Sequence, residues 1–191
     1  DGDYSLITPA DNLFKLNVST KYPADGNVEI TVTIDKDEEF EIMLRIPEYS
    51  VNTHLSLNNK NLFVKDRYVK INRIWHNGDK LLLNIDMAPR VIHPIGFMNN
   101  PESFKYIAVK YGPLVLARDS RVCHDIKTPI KLKYSENDYI DLKRTNSVKF
   151  PTLCEFSAPC ENGKSVTLID YQSCGKTWDE NSLTEAWIRT P

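Results

Sequence analysis

Through most of this chain apolar and polar residues alternate with a period of two. The run Phe14 to Val18 does so, and Val28-Glu29-Ile30-Thr31-Val32-Thr33-Ile34 does so without a fault, which predicts strands with one buried and one wet face. Phe40 to Ile46 keeps its even positions apolar, and Pro47, with no N–H for a ladder, predicts the end of that strand. The acidic stretch Asp35 to Glu39 between them fits no calcium-loop spacing and reads as a solvated turn. Leu55 and Leu57, then Asn58-Asn59, then Leu62-Phe63-Val64 predict a hairpin, because asparagine tolerates the positive φ of a tight turn. Tyr68 to Ile71 and Leu81 to Met87 add two more strands around the turn containing Gly78.

Phe14 to Met87 therefore holds about seven short strands, enough for one small sandwich. Pro89 to Pro101 breaks the periodicity with Pro94, Gly96 and Asn99-Asn100, and reads as a linker or long crossing loop. Beyond it Tyr106–Tyr111, Leu114–Ala117, Ile130–Tyr134, Tyr139–Leu142, Val148–Phe150, Val166–Ile169 and Ala186–Ile188 repeat the short, β-branched and aromatic pattern. No window shows a helical apolar stripe. The expectation is an all-β chain of two consecutive antiparallel β-sandwich (jelly-roll or Ig-like) domains, residues 1–100 and 101–191.

Composition narrows the function classes. A net charge of −2 leaves no electrostatic footprint for a polyanion, so nucleic acid is not an expected partner. No stretch approaches the roughly 20 apolar residues of a membrane-spanning helix, and Asp1-Gly2-Asp3 lacks the basic and apolar regions of a signal peptide. A soluble chain follows, its compartment open. Cys123, Cys154, Cys160 and Cys174 form no C-x-x-C pair, so zinc spacing is absent; in an oxidising compartment Cys154 and Cys160 are the expected bridge.

Candidate chemistry is thin. Glu48, Asp66, Asp79, Asp86 and Asp179 lie near turns or strand ends, where acidic residues are common without being catalytic. His54, His76, His93 and His124 sit in no triad context, and nucleophile-elbow and phosphate-loop motifs are missing. Flat aromatic faces on a sandwich can stack on sugar rings. Trp75 and Trp187, set in apolar strand patterns, are expected to fill the cores, whereas Trp178 lies in the polar loop Cys174 to Asn181 and is the candidate sugar-stacking residue.

Several phrases together resemble one family. Tyr22-Pro23-Ala24-Asp25-Gly26-Asn27-Val28, Leu44-Arg45-Ile46-Pro47, Tyr68 with Arg73-Ile74-Trp75 and Gly78-Asp79, and Tyr111-Gly112-Pro113-Leu114-Val115 look like the region after the catalytic barrel of glycoside hydrolase family 127. Leu168-Ile169-Asp170-Tyr171, Gly175 to Trp178 and Ala186-Trp187-Ile188 resemble that family's final strands. The resemblance implies β-L-arabinofuranosidase-type parentage, a helical (α/α) barrel that does the chemistry, and two sandwiches after it. The glutamate and the zinc-binding cysteines, including an adjacent pair, are implied for the barrel; no Cys-Cys pair exists here, so no catalytic residue and no metal or cofactor is carried across. Glu48-Tyr49 and Asn58-Asn59 depart from the family's Trp and Asn-Gly at those points, as in a divergent member. The partners implied are the missing barrel, glycans and a second copy of the chain.

Overall fold

The computed structural model describes residues 1–95, 101–175 and 182–191. Two compact units are present, Asp1–Met87 and Ala88–Pro191. Both are antiparallel β structures, as the period-two pattern predicts. Among the described residues the only helical turns are short 3-10 segments at Pro101–Lys105 and Tyr171–Ser173, and no helix is long and apolar enough to cross a membrane.

The first unit contains β1 (Gly2–Ile7), β2 (Leu13–Thr20), β3 (Asn27–Ile34), β4 (Glu38–Arg45), β5 (His54–Leu57), β6 (Lys60–Leu62), β7 (Tyr68–Trp75) and β8 (Lys80–Asn84). Six of them form one sheet in the order β1-β2-β3-β8-β5-β6, and β4 and β7 form a second. Residues on one face of the large sheet, among them Phe14, Ile30, Val32, Leu55, Leu57, Leu81 and Leu83, are buried. The Phe14 ring meets Phe40 edge-on at 4.9 Å, and Phe40 lies 6.2 Å from Trp75. Trp75 is fully buried, as expected, and its indole N–H donates to the Phe40 carbonyl at 3.0 Å, so its polar atom is not stranded.

The turns behave as their residues dictate. Asn58 and Asn59 adopt φ of 49° and 65°, the left-handed pair that a two-residue hairpin between Leu57 and Lys60 needs. The return strand stops at Leu62, leaving Phe63 84% exposed. The Tyr22–Pro23 peptide is cis. A Cβ on Gly26 would collide with the Ile85 carbonyl oxygen, so only glycine fits where the Gly26 carbonyl accepts the Ile85 N–H.

Between β7 and β8 the chain crosses from one sheet to the other, and Asp79 pins that crossing. Its carboxylate, 5% exposed, accepts from the His76 N–H at 3.0 Å and from the Asn58 amide at 2.6 Å, with the Arg73 guanidinium at 3.5 Å. Asn58 in turn accepts the Lys80 N–H at 2.9 Å, and the Gly78 N–H and Asp79 carbonyl bond to Val32 on β3 at 2.8 Å each. The Arg73 and Gly78-Asp79 phrase is thus a structural clasp.

The second unit contains β9 (Pro89–Ile92), β10 (Tyr106–Tyr111), β11 (Leu114–Asp119), β12 (Lys143–Arg144), β13 (Glu155–Pro159), β14 (Ser165–Asp170), β15 (Thr184–Glu185) and β16 (Ile188–Arg189). Strands run β12-β13-β14-β11-β10-β16, with β9 also on β10 and β15 also on β11. The β10–β11 hairpin pairs only near its closed end, Val109–Tyr111 with Leu114–Leu116, around Gly112 at φ 53°. Its open end splays, and the segment from Thr184 to Arg189 pairs with both arms, β15 with Arg118–Asp119 and β16 with Tyr106–Ile107. One core results, built from residues including Val109, Leu116, Leu132, Ile140, Phe156, Leu168 and Ile188.

Three differences from the expected elements have physical causes. Pro89–Ile92 reads as linker because of its neighbours, yet it ladders onto β10, so the break between units falls at Met87–Ala88. The Ile130–Tyr134 and Tyr139–Leu142 runs send Leu132 and Ile140 into the core but make only isolated bridges, Leu132 to Cys160 and Arg90 to Tyr139. Val148–Phe150 forms no strand because the Ser147 and Val148 N–H groups are taken by the Glu155 carboxylate at 3.0 to 3.1 Å, a side-chain competitor to a ladder.

Asp79→Ala leaves the His76 N–H, the Asn58 amide and Arg73 without their shared acceptor. The expected loss is about 2–4 kcal/mol, read as an earlier urea midpoint by far-UV circular dichroism. Asn58→Ala, which removes one bond on each side of the turn, is expected to cost less.

Candidate functional site

Charged groups that are almost fully buried are the first place to look for chemistry, and the second unit has four: Arg118, Asp119, Glu155 and Asp170. Each is committed to holding backbone. The Arg118 guanidinium donates to the Thr128 and Asp125 carbonyls at 3.0 and 2.6 Å and to Glu185 at 2.7 Å, tying the 120–130 loop to β15. Asp119 accepts the Arg121 N–H and its guanidinium at 2.6 to 2.9 Å. Glu155 takes the Thr145 and Ser147 hydroxyls at 2.7 and 2.6 Å besides the two N–H groups above. Asp170 accepts from the Leu153, Cys154 and Ser173 N–H groups at 2.8 to 3.0 Å and from the Ser173 hydroxyl at 2.7 Å.

Burial acts to raise the carboxyls of Asp79, Asp119 and Glu155, but the hydrogen bonds each accepts outweigh it and hold all three below the ordinary carboxylate range. A general acid needs the opposite shift. Of the other carboxylates read from the sequence, Glu48 pairs with Arg67 on the surface, Asp86 accepts from Asn52 at 3.2 and 3.3 Å, and Asp179 lies outside the described residues.

The cysteines are free thiols. Cys154 and Cys160 stand at opposite ends of β13, about 20 Å apart at the rise of an extended chain, so the bridge expected in an oxidising compartment cannot form. Burial pushes the Cys154 thiol up to about 12 and Cys174 up to about 11, and raises Cys123 and Cys160 as well. Thiols held protonated are poor nucleophiles and poor ligands. Among the described residues no three His, Cys, Asp or Glu side chains come together to hold a metal.

Trp178, the candidate stacking residue, lies outside the described residues. Trp187 departs from its expected core position and is 47% exposed. The run Ala186-Trp187-Ile188 has no polar alternation to say which residue points inward; Ile188 takes the core, and the period of two turns Trp187 to the surface. Trp187 lines an open apolar groove of about 610 Å³ with Tyr106, Ile92, Pro94 and Ile95. A second groove, about 660 Å³ and more polar, lies against the large sheet of the first unit and is lined by residues including Asn27, His54, Ser56, Asn61, Leu82 and Asn84. The sequence singles out none of these last positions as a group, because their meeting depends on how β3, β8, β5 and β6 pair.

The family model described as "Beta-L-arabinofuranosidase, GH127 middle domain" matches residues 5–87, nearly the whole first unit. No curated protein matches the chain in sequence. Among solved structures, a glycoside hydrolase is 23% identical with a TM-score of 0.75, covering 98% of this chain and 34% of that one. A GH127 β-L-arabinofuranosidase from Geobacillus stearothermophilus T6 is 18% identical with a TM-score of 0.72, over 99% of this chain and 32% of its own. A further GH127 β-arabinofuranosidase is 19% identical with a TM-score of 0.69, over 99% and 33%. The fold likeness therefore extends through both units, and the chain spans about a third of the solved chains it matches. The resemblance read from the sequence is borne out.

Two outcomes follow from the buried groups. Native protein at pH 8 is expected to react slowly with a thiol reagent and all four cysteines rapidly after denaturation, with no Cys154–Cys160 cross-link by peptide mass spectrometry after oxidation. Because Asp79, Asp119 and Glu155 have folded values below their unfolded ones, their stabilisation is present above about pH 4.5 and is lost as the pH falls through the folded values. Urea midpoints should fall from pH 5 toward pH 3, and a flat profile would contradict these assignments.

Proposed function

We propose that this chain is the non-catalytic accessory β-sandwich region of a family 127-like glycoside hydrolase of the β-L-arabinofuranosidase type, supporting a helical catalytic barrel that lies outside it. The observation behind the proposal is coverage: 98–99% of the chain follows about a third of each solved glycosidase. In this reading the catalytic glutamate and the zinc belong to the barrel. The chain's own buried carboxylates each accept from backbone N–H groups, in keeping with a supporting role.

Contact with a barrel needs an apolar surface, and the Trp187 groove in the second unit supplies one, with Ile92 37% and Ile95 94% exposed. We assign that surface to the barrel because the matched chains are about three times longer than this one. A second reading, a module that stacks sugars on aromatic rings, is favoured by the presence of both Trp187 and Tyr106 along the same groove.

The purified chain is expected to leave a chromogenic β-L-arabinofuranoside intact with or without added zinc; enzyme-like turnover would overturn the proposal. A family 127 barrel expressed without its own sandwiches should co-purify with the chain, and Trp187→Ala should weaken that association at least tenfold. Loss of sugar binding by the same variant, with barrel association unchanged, would favour the second reading.

A further inference from the structure

The outward face of the first unit's large sheet carries an unusual row of neutral side chains. The registers place His54 beside Asn84 and Asn84 beside Asn27, across three adjacent strands. Two residues along, Asn61 stands beside Ser56, and Ser56 beside Leu82. At about 4.8 Å between strands and about 7 Å between rows, this is a patch about 15 by 7 Å. It floors the 660 Å³ groove, a volume within the range of small-molecule sites.

The hydrogen-bonding capacity of the patch is largely uncommitted. The Asn84 amide donates to the Asn27 side-chain oxygen at 2.7 Å, which fixes the two amides against each other and leaves the Asn27 N–H groups and the Asn84 oxygen for a ligand. Among the described residues, the His54 ring, the Ser56 hydroxyl and the Asn61 amide make no hydrogen bond. Leu82, 42% exposed, interrupts the polar surface with an apolar spot. Charge offers an anion no handle: the carboxylates of Asp1, Asp25 and Glu29 line the same groove, Glu29 pairing with Lys80 at 3.1 Å, against the one lysine, Lys21, among its lining residues.

We propose that this face binds a neutral oligosaccharide. Paired amides, a hydroxyl and an imidazole present donors and acceptors together, as vicinal diols require, and Leu82 meets a C–H face of a sugar ring. An anionic glycan would instead meet three carboxylates, Asp1, Asp25 and Glu29, in the groove's lining. This site is independent of the barrel proposed above and lies in the other unit from Trp187.

The test is titration of the full chain, followed by amide NMR shifts, with arabino-oligosaccharides and xylo-oligosaccharides as neutral probes and an oligogalacturonide as the acidic one. Saturable binding of at least one neutral probe is expected, with shifts clustered at residues 27–29, 54–61 and 82–84. His54→Ala/Asn84→Ala should weaken it at least tenfold with an unchanged circular dichroism spectrum, and Asn84→Asp, which keeps the shape, should weaken it too. Trp187→Ala should leave it unchanged. The proposal falls if no neutral probe saturates by about 10 mM, if the oligogalacturonide binds better, if the shifts lie in the second unit, or if the folded double variant keeps its affinity.

Discussion

The buried carboxylate of Asp79 is the constraint on which the first unit turns. A sandwich needs the chain to leave one sheet and enter another, and at each such crossing backbone N–H groups lose their ladder partners. Here one ionised side chain gathers the His76 N–H, the Asn58 amide and Arg73, while the flanking Gly78 and Asp79 backbone bonds directly to Val32 on β3. With that crossing set, β8 lies between β3 and β5, and Trp75 closes over Phe40 and the core. The Asn58-Asn59 hairpin is tied to the same point, so two turns distant in sequence are held by one group.

The second unit solves the same difficulty with more charges. Apart from β12 and two isolated bridges, its stretches between Ser120 and Leu153 form no ladder, and Arg118, Glu155 and Asp170 satisfy several of their carbonyls and N–H groups. Ionised groups buried this way are expensive unless every bond is made, and here nearly all are; Arg118 Nε is the exception. That is why the carboxylates which attract attention by their burial are poor candidates for catalysis. Their lone pairs are filled, and the surfaces open to a partner or ligand lie on the outward faces instead.

Legibility followed locality. Strands with strict alternation, such as Asn27–Ile34, and turns with their own chemistry, such as Asn58-Asn59 and Gly112-Pro113, were readable because side-chain face and backbone conformation are decided by neighbours in sequence. β1, β9 and β13 were not. Gly2–Ile7 exists because β2 offers it an edge, Pro89–Ile92 because β10 does, and Glu155–Pro159 because β14 does. Val148–Phe150 had the composition of a strand and lost it to a carboxylate seven residues away.

The sequence by itself determined the all-β class, most of the first unit's strands, the core position of Trp75, and a resemblance to glycoside hydrolase family 127 carried by turn phrases. Tertiary structure alone decided that Cys154 and Cys160 stand at opposite ends of one strand, that Trp187 faces out while Ile188 faces in, and that Asn27, His54, Ser56 and Asn84 meet in one groove. Alternation says which residues point away from a core. Only the pairing of strands far apart in the chain, here β3, β8 and β5, says which of those outward residues become neighbours.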